Sequence, residues 1–125
     1  MPATEARAFR DASGEMPLQE WLNDLEQSEP RAHAKCLAVI LELAAKGHEL
    51  RRPASDALRD GIRELRTRVG RVHYRILYFF FGKHAACLSH GITKEDEVPD
   101  KDIELAIRRK KLVERDSERY TGTFE

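Results

Sequence analysis

Residues 60–82 are the segment that most constrains how this chain can fold. Residues 74–81 are aromatic and branched and include no proline or aspartate, which is typical of a strand covered on at least one face. The side chains of residues 62–67 alternate between two sides, as in a strand, and Gly70 supplies a turn residue between residues 62–67 and residues 74–81. The segment therefore predicts an antiparallel hairpin near the centre of a sheet.

Arginine is concentrated in and beside this hairpin. A guanidinium is costly to bury unless it is paired or faces a ligand. A sheet that buries one face and carries arginines on the other is suited to bind an anion, and a phosphodiester can be cleaved when fixed cations neutralise the charge that builds on phosphorus. The arginines are Arg59, Arg63, Arg66, Arg68, Arg71 and Arg75.

Arg75 is the first candidate because it lies inside the apolar strand. The alternative for Arg75 is a structural ion pair with Glu64. Arg66 lies on the neighbouring strand, where a hairpin can bring it to the same face as Arg75. Its alternative is an exposed cross-strand charge pair.

Other polar residues have weaker indications. Arg68 and Arg71 flank the turn and either follow a phosphate backbone or are simply solvated. Lys94 follows the last strand, in a loop where binding groups tend to lie, and its alternative is no role. His90 either titrates near neutral pH or is an ordinary core or surface histidine. The basic run 108–111 is usually a solvated helix face, or it binds RNA or an acidic partner.

The rest of the chain predicts an α+β fold of order β-α-α-β-β-β-α. Helices on one face would cover a small, mostly antiparallel sheet. One domain of residues 1–125 is expected, with a flexible tail from about residue 118. The predicted strands outside the hairpin are residues 6–10 and 84–92, the helices begin at Pro17, Pro30 and Asp100, and residues 50–57 are an extended connection.

Composition excludes several classes of protein. The 22 lysines and arginines balance 22 acids, which argues against a protein that coats nucleic acid through bulk charge. No apolar run is long enough to span a bilayer and no signal peptide is recognisable, so a cytoplasmic protein without a membrane is expected. Cys36 and Cys87 suit buried thiols in a reducing cytoplasm, and a disulfide between them is the alternative. The five histidines are not spaced like metal ligands, and no phosphate loop or GxSxG elbow is present.

Several stretches, in this order, resemble the RelE/HigB superfamily of bacterial toxins, in particular its phage-related HigB-like branch. The resemblance covers most of the chain, and the ordered combination is more specific than any single stretch. The matching stretches are 9–11 (FRD), 17–22 (PLQEWL), 58–66 (LRDGIRELR), 74–79 (YRILYF), 88–94 (LSHGITK) and 99–106 (PDKDIELA).

The resemblance implies a compact RelE-like toxin fold that cuts mRNA, usually on the ribosome, without a metal or other cofactor. It also implies a co-encoded helix-turn-helix antitoxin as partner. By position, Arg66, Arg75 and Lys94 match the catalytic cations of such toxins. The further RNA-binding candidates are Arg63, Arg68, Arg71 and His90.

Two departures from the family pattern leave the general base open. Acids follow Lys94 where relatives often have a second lysine, and no equivalent of the C-terminal tyrosine of the RelE branch is evident. The sequence therefore predicts an mRNA endoribonuclease, the toxin of a type II toxin–antitoxin pair. The alternative is a catalytically degenerate module that only binds its antitoxin in transcriptional autoregulation. A free-standing RNA-binding protein is a third possibility, which the neutral net charge disfavours.

Overall fold

The computed structural model describes residues 4–93 and 96–123 and has an α+β fold built on one mixed, six-stranded sheet. The strands have the spatial order β2-β3-β4-β5-β1-β6. In chain order the elements are β1 (Glu5–Phe9), α1 (Pro17–Ser28), α2 (Pro30–Lys46), a 3-10 turn (Gly47–Glu49), β2 (Ser55–Arg59), β3 (Ile62–Val69), β4 (Val72–Phe81), β5 (Ala85–Thr93), α3 (Asp100–Arg115), α4 (Ser117–Tyr120) and β6 (Thr121–Gly122).

The predicted α+β class and the central hairpin are confirmed. β3 and β4 pair antiparallel through the two-residue turn Gly70–Arg71, and β4 lies between β3 and β5. The sheet is mixed because β1 pairs parallel with β5. Both prolines at the helix starts occupy the first helical position, where the missing N–H is not needed.

β2 is a strand where the sequence predicted only an extended connection. It pairs antiparallel with β3 through a tight turn at Asp60 and Gly61, both of which have positive φ (54° and 82°). An Asp-Gly pair between two strands is a strong hairpin signal, because both residues tolerate the left-handed conformation such a turn requires. This signal was present in the sequence, and it adds β2 as a fourth strand to the meander β2-β3-β4-β5.

The prediction that the helices pack on one face is wrong for α3. α1 and α2 pack against one face of β4, with Tyr74, Ile76 and Tyr78 in the same apolar cluster. α3 packs against the other face, where Leu77 and Phe79 join a second cluster. Successive strand residues point to opposite faces, so a strand that is apolar on both is covered twice.

The end of the chain, expected to be a flexible tail, is fixed as far as Gly122. α4 leads into β6, which pairs antiparallel with β1. The Arg10 side chain donates to the backbone carbonyls of Glu118 and Arg119, and Thr121 is 1 % exposed. These contacts depend on pairing between the two ends of the chain, which local sequence patterns do not reveal.

Candidate functional site

The register of the central hairpin brings the candidate arginines together. Arg66 on β3 lies directly opposite Arg75 on β4, and Arg68 lies opposite His73. Directly paired residues of antiparallel strands point to the same face, so all four side chains share one face of the sheet. This is the face that α3 partly covers, since Leu77 follows Arg75 by two residues and contributes to the α3 cluster. The expectation that Arg66 and Arg75 share a face is confirmed.

A cavity of about 600 Å³ opens beside this group because β2 is short. β2 pairs with β3 from Arg59 to Ser55, and one further backbone bond joins the Arg66 N–H to the Ala54 carbonyl at 2.8 Å. Beyond that point the edge of β3 faces the cavity, with α2 forming the opposite wall. The charged or titratable side chains that line it are Lys35, Glu42, Arg66, Arg68, His73 and Arg75.

Arg75 is held by an internal acid, the alternative raised by the sequence. It is 7 % exposed, and its Nη1 donates to Oε1 of Glu64 at 2.6 Å. Nη2 donates to the backbone carbonyl of Asp96. Glu64 is itself only 4 % exposed, so this ion pair is buried. Most of the charge of Arg75 is therefore balanced within the protein.

Arg66 and Arg68 are more accessible than Arg75. Arg66 is half-buried, with its Nε donating to the Pro53 carbonyl at 3.4 Å, and Arg68 is exposed. Lys35 reaches across from α2 and donates to the backbone carbonyl of Arg68 at 2.6 Å. The residue directly opposite Arg66 on β4 is a like charge, while on the β2 side its charge helps Arg52 to lower the pKa of Asp56. Like charges directly opposite destabilise a sheet, and a bound anion would relieve that repulsion.

The other sequence-predicted RNA contacts lie apart from this cavity or outside the described residues. Arg63 points to the α2 face, where its Nε donates to the Tyr78 hydroxyl at 3.2 Å, so it does not share the face of Arg66 and Arg75. Successive side chains of a strand point to opposite faces of the sheet. Arg63 lies three positions before Arg66, so the two side chains point to opposite faces. Arg71 is exposed in the hairpin turn. Lys94 lies outside the described residues.

His90 belongs to a separate polar network under α3. Its Nε2 lies 3.1 Å from Oδ1 of Asp102, and its Nδ1 lies 2.7 Å from Oγ of Ser89. Arg109 donates to the carbonyl of Ser89 at 3.1 Å. Burial, followed by the nearby Arg109 guanidinium, lowers the pKa of His90 despite Asp102. His90 is therefore a neutral, hydrogen-bonded histidine that does not line the arginine cavity.

Two cavity residues were missed by sequence reasoning. His73 precedes Arg75 by two residues, so strand periodicity alone would have placed it on the same face. Lys35 lies on α2, and its contact with Arg68 joins residues 33 positions apart. That contact depends on how the helix packs, so no local pattern could have predicted it.

The remaining predictions concern thiols, metals and membranes. Cys36 and Cys87 are free and buried, and burial raises the pKa of Cys36 to about 12. Within residues 4–93 and 96–123, no three or more His, Cys, Asp or Glu side chains group in a way that could hold a metal ion. No helix in these two ranges is long and apolar enough to cross a membrane.

Fold and site together define an α+β protein with an arginine-lined, anion-suited cavity at the end of its central hairpin. The family model described as phage-derived protein Gp49-like (DUF891) matches residues 20–111, and the chain belongs to this family. It is a family of RelE/HigB-like toxins associated with toxin–antitoxin systems, which confirms the predicted superfamily. The comparison with curated proteins finds no match.

Proposed function

We propose that the protein is the toxin of a type II toxin–antitoxin pair, of the phage-related HigB-like branch, and that it cleaves mRNA on the ribosome. Its family supports the toxin role. The observation that carries the nuclease proposal is the pairing of Arg66 with Arg75 on one face, beside a cavity that also receives Arg68, His73 and Lys35. Such a group of donors suits a phosphodiester with a flanking phosphate.

In the proposed reaction, the 2′-oxygen of a ribose attacks the adjacent phosphorus. The 2′-hydroxyl loses its proton, and the bond from phosphorus to the 5′-oxygen of the next nucleotide breaks as that oxygen gains a proton. Arg66 and Arg68 would neutralise the extra negative charge on the phosphoryl oxygens, with Lys94 as the third cation. Arginine is suited to this role and not to proton transfer, because its pKa is too high.

We assign Arg75 a positioning role in this reaction. Its bonds to Glu64 and to the Asp96 carbonyl join β3, β4 and the segment after β5 behind the cavity. A fixed Arg75 would hold β4 in register and so keep Arg66 at the cavity. His73 is the proposed proton carrier, since it is the histidine that lines the cavity among the described residues. His90 would act only by supporting β5 against α3.

The test is cleavage of mRNA on translating ribosomes by the purified protein. Arg66→Ala should lower the cleavage rate by about 100-fold or more, which is typical when one donor to a developing negative charge is lost. Arg119→Ala is the matched control: it removes an exposed arginine at the opposite edge of the sheet and should leave the rate unchanged. An Arg66→Ala rate equal to that of the control would exclude the proposed site.

The second candidate is a module that only binds a helix-turn-helix antitoxin. The buried Arg75–Glu64 pair favours it, because that arginine is already neutralised. This candidate predicts a stable complex with the antitoxin and no cleavage by the free protein, whether or not Arg66 is present. Co-expression with the neighbouring antitoxin gene, followed by size-exclusion chromatography and the ribosome assay, separates the two functions.

A further inference from the structure

A second cavity, of about 480 Å³, lies on the side of the sheet that α1 and α2 cover, beside the end of α1. Trp21 and Tyr74 form two of its walls, with ring centroids 6.5 Å apart and ring planes inclined by 59°. The indole N–H of Trp21 donates to the Thr93 hydroxyl at 3.3 Å, which fixes the ring. The cavity is therefore a rigid aromatic corner that opens to solvent.

Tyr74 brings an unused polar group to this cavity. The residue is 3 % exposed, and its hydroxyl has no hydrogen-bond partner within residues 4–93 and 96–123. In those ranges, every side-chain oxygen that is fully enclosed has a hydrogen-bond partner, so the Tyr74 hydroxyl oxygen must be in contact with solvent. A nearly buried hydroxyl that ends at a cavity is positioned to bond to whatever occupies it.

The rim of the cavity is electronegative. Asp24 and Glu29 line it with exposed carboxylates, and burial together with nearby Glu29 raises the pKa of Tyr74. Asp24 lies near the C-terminal end of α1, where the helix dipole is negative and where the last turn has no basic residue, whereas Glu29 lies between α1 and α2 and also precedes the first residue of α2. An acid near the C-terminal end of a helix opposes the dipole, so the placement of Asp24 does not serve the stability of α1.

We propose that this cavity binds an alkylammonium or guanidinium group. The faces of Trp21 and Tyr74 would contact the cation, Asp24 and Glu29 would pair with its charge, and the Tyr74 oxygen would accept a hydrogen bond. The volume suits a charged head with several methylenes. Either an arginine or lysine side chain of a partner protein or a free polyamine offers this chemistry. Anions and uncharged groups of the same shape would be excluded.

Trp21 is the only tryptophan in the chain, so its fluorescence and its single indole N–H NMR signal report directly on the cavity. Titration of the full chain with argininamide should change both signals saturably, whereas uncharged citrullinamide should leave them unchanged. Asp24→Asn combined with Glu29→Gln should weaken the binding of argininamide about five- to tenfold, as expected from the loss of two exposed charge pairs.

Glu26→Gln is the matched control, because Glu26 is an acid of the same helical turn that lines a different cavity. It should leave the binding of argininamide unchanged. Tyr74→Phe keeps the aromatic face and removes only the hydroxyl, so it should weaken binding less than the double variant. Circular dichroism and thermal melting would show that each variant is folded.

Two further probes distinguish the sources of the cation. If a blocked Gly-Arg-Gly peptide saturates the signal at lower concentration than spermidine, the ligand is a side chain of a partner; the reverse order indicates a polyamine. Either order supports the cation site. The proposal is overturned if argininamide does not saturate, if citrullinamide acts equally, or if the folded double variant binds argininamide as the unaltered protein does.

Discussion

Replacement of Arg75 by methionine tests the central buried contact of the molecule. The side chains of Arg75 and Glu64 are 9 % and 6 % exposed, and their charged atoms lie 2.6 Å apart. Methionine fills a similar volume and carries no charge. The variant therefore leaves the Glu64 carboxylate buried without its ion-pair partner.

The expected loss of folding free energy is about 3–5 kcal/mol, the usual result of breaking a buried ion pair by removing one partner. That is a large share of the roughly 5–15 kcal/mol that stabilises a typical domain. Most of the loss is the cost of burying the remaining charge. The double variant Arg75→Met/Glu64→Leu, which removes both charges, should therefore recover most of the lost stability.

The assay is urea denaturation followed by circular dichroism, with the unaltered protein, both single variants and the double variant. Arg66→Met is the matched control: it removes the arginine directly across the strands, which is half-buried and faces a like charge. It should change the free energy of unfolding by less than about 0.5 kcal/mol. A loss below about 1 kcal/mol for Arg75→Met, or a double variant no more stable than the single ones, would refute the reasoning.

The same variants separate a positioning role of Arg75 from direct contact with RNA. If Arg75 only holds the hairpin, the double variant should recover cleavage together with stability, to within about tenfold of the unaltered protein. Recovery of stability without cleavage would instead indicate that its guanidinium contacts the phosphate. Rates measured per folded molecule on translating ribosomes make the comparison.

A histidine, a glycine and the two cysteines give three further predictions. Because His90 in the folded protein is neutral and its pKa is lowered, the unfolded chain takes up a proton near pH 6.5 that the folded protein resists, and the stability should fall as the pH decreases below that value. His90→Gln should reduce the slope of stability against pH by at most about 1.4 kcal/mol per pH unit. Urea denaturation between pH 5.5 and 7.5 measures the slope, with exposed His84→Gln as the control. Gly91→Ala should destabilise the protein by about 1–3 kcal/mol and shift the Trp21 fluorescence, because a Cβ there would overlap the indole ring, whereas Gly82→Asn, in an open turn, should do neither. Cys36 and Cys87 are buried thiols with raised pKa values, so both should react with a chromogenic disulfide reagent only as fast as the protein unfolds; rapid reaction of either thiol in the folded protein would contradict their burial.

Local sequence signals were sufficient for most of the secondary structure. Alternation and aromatic content predicted the central hairpin, and the prolines at positions 17 and 30 marked both helix starts. Gly47 marked the end of α2. The Asp60–Gly61 pair is a local signal of the same kind for the turn between β2 and β3. These features could be predicted because each depends on the backbone preferences of a few neighbouring residues.

The candidate site could be predicted only in part. The common face of Arg66 and Arg75 follows from hairpin register, which sequence pattern and turn length determine. The contribution of Lys35 and the short extent of β2 that opens the cavity depend on contacts distant in sequence. The placement of His90 under α3 has the same origin, since its partner Asp102 lies on a helix packed against the opposite face from α1.

The sequence by itself determined most of the elements, the hairpin register and the family of this protein, because these depend on local preferences and on ordered motifs. Only the tertiary structure decided which charges are available. By residue type and position on the central strand, Arg75 is a good candidate for a phosphate ligand, yet the buried Glu64 carboxylate neutralises its charge. Half-buried Arg66, on the opposite strand, remains at the cavity. The physical reason is that the free energy of a charge depends on its burial and on its neighbours in space, which the order of residues does not specify.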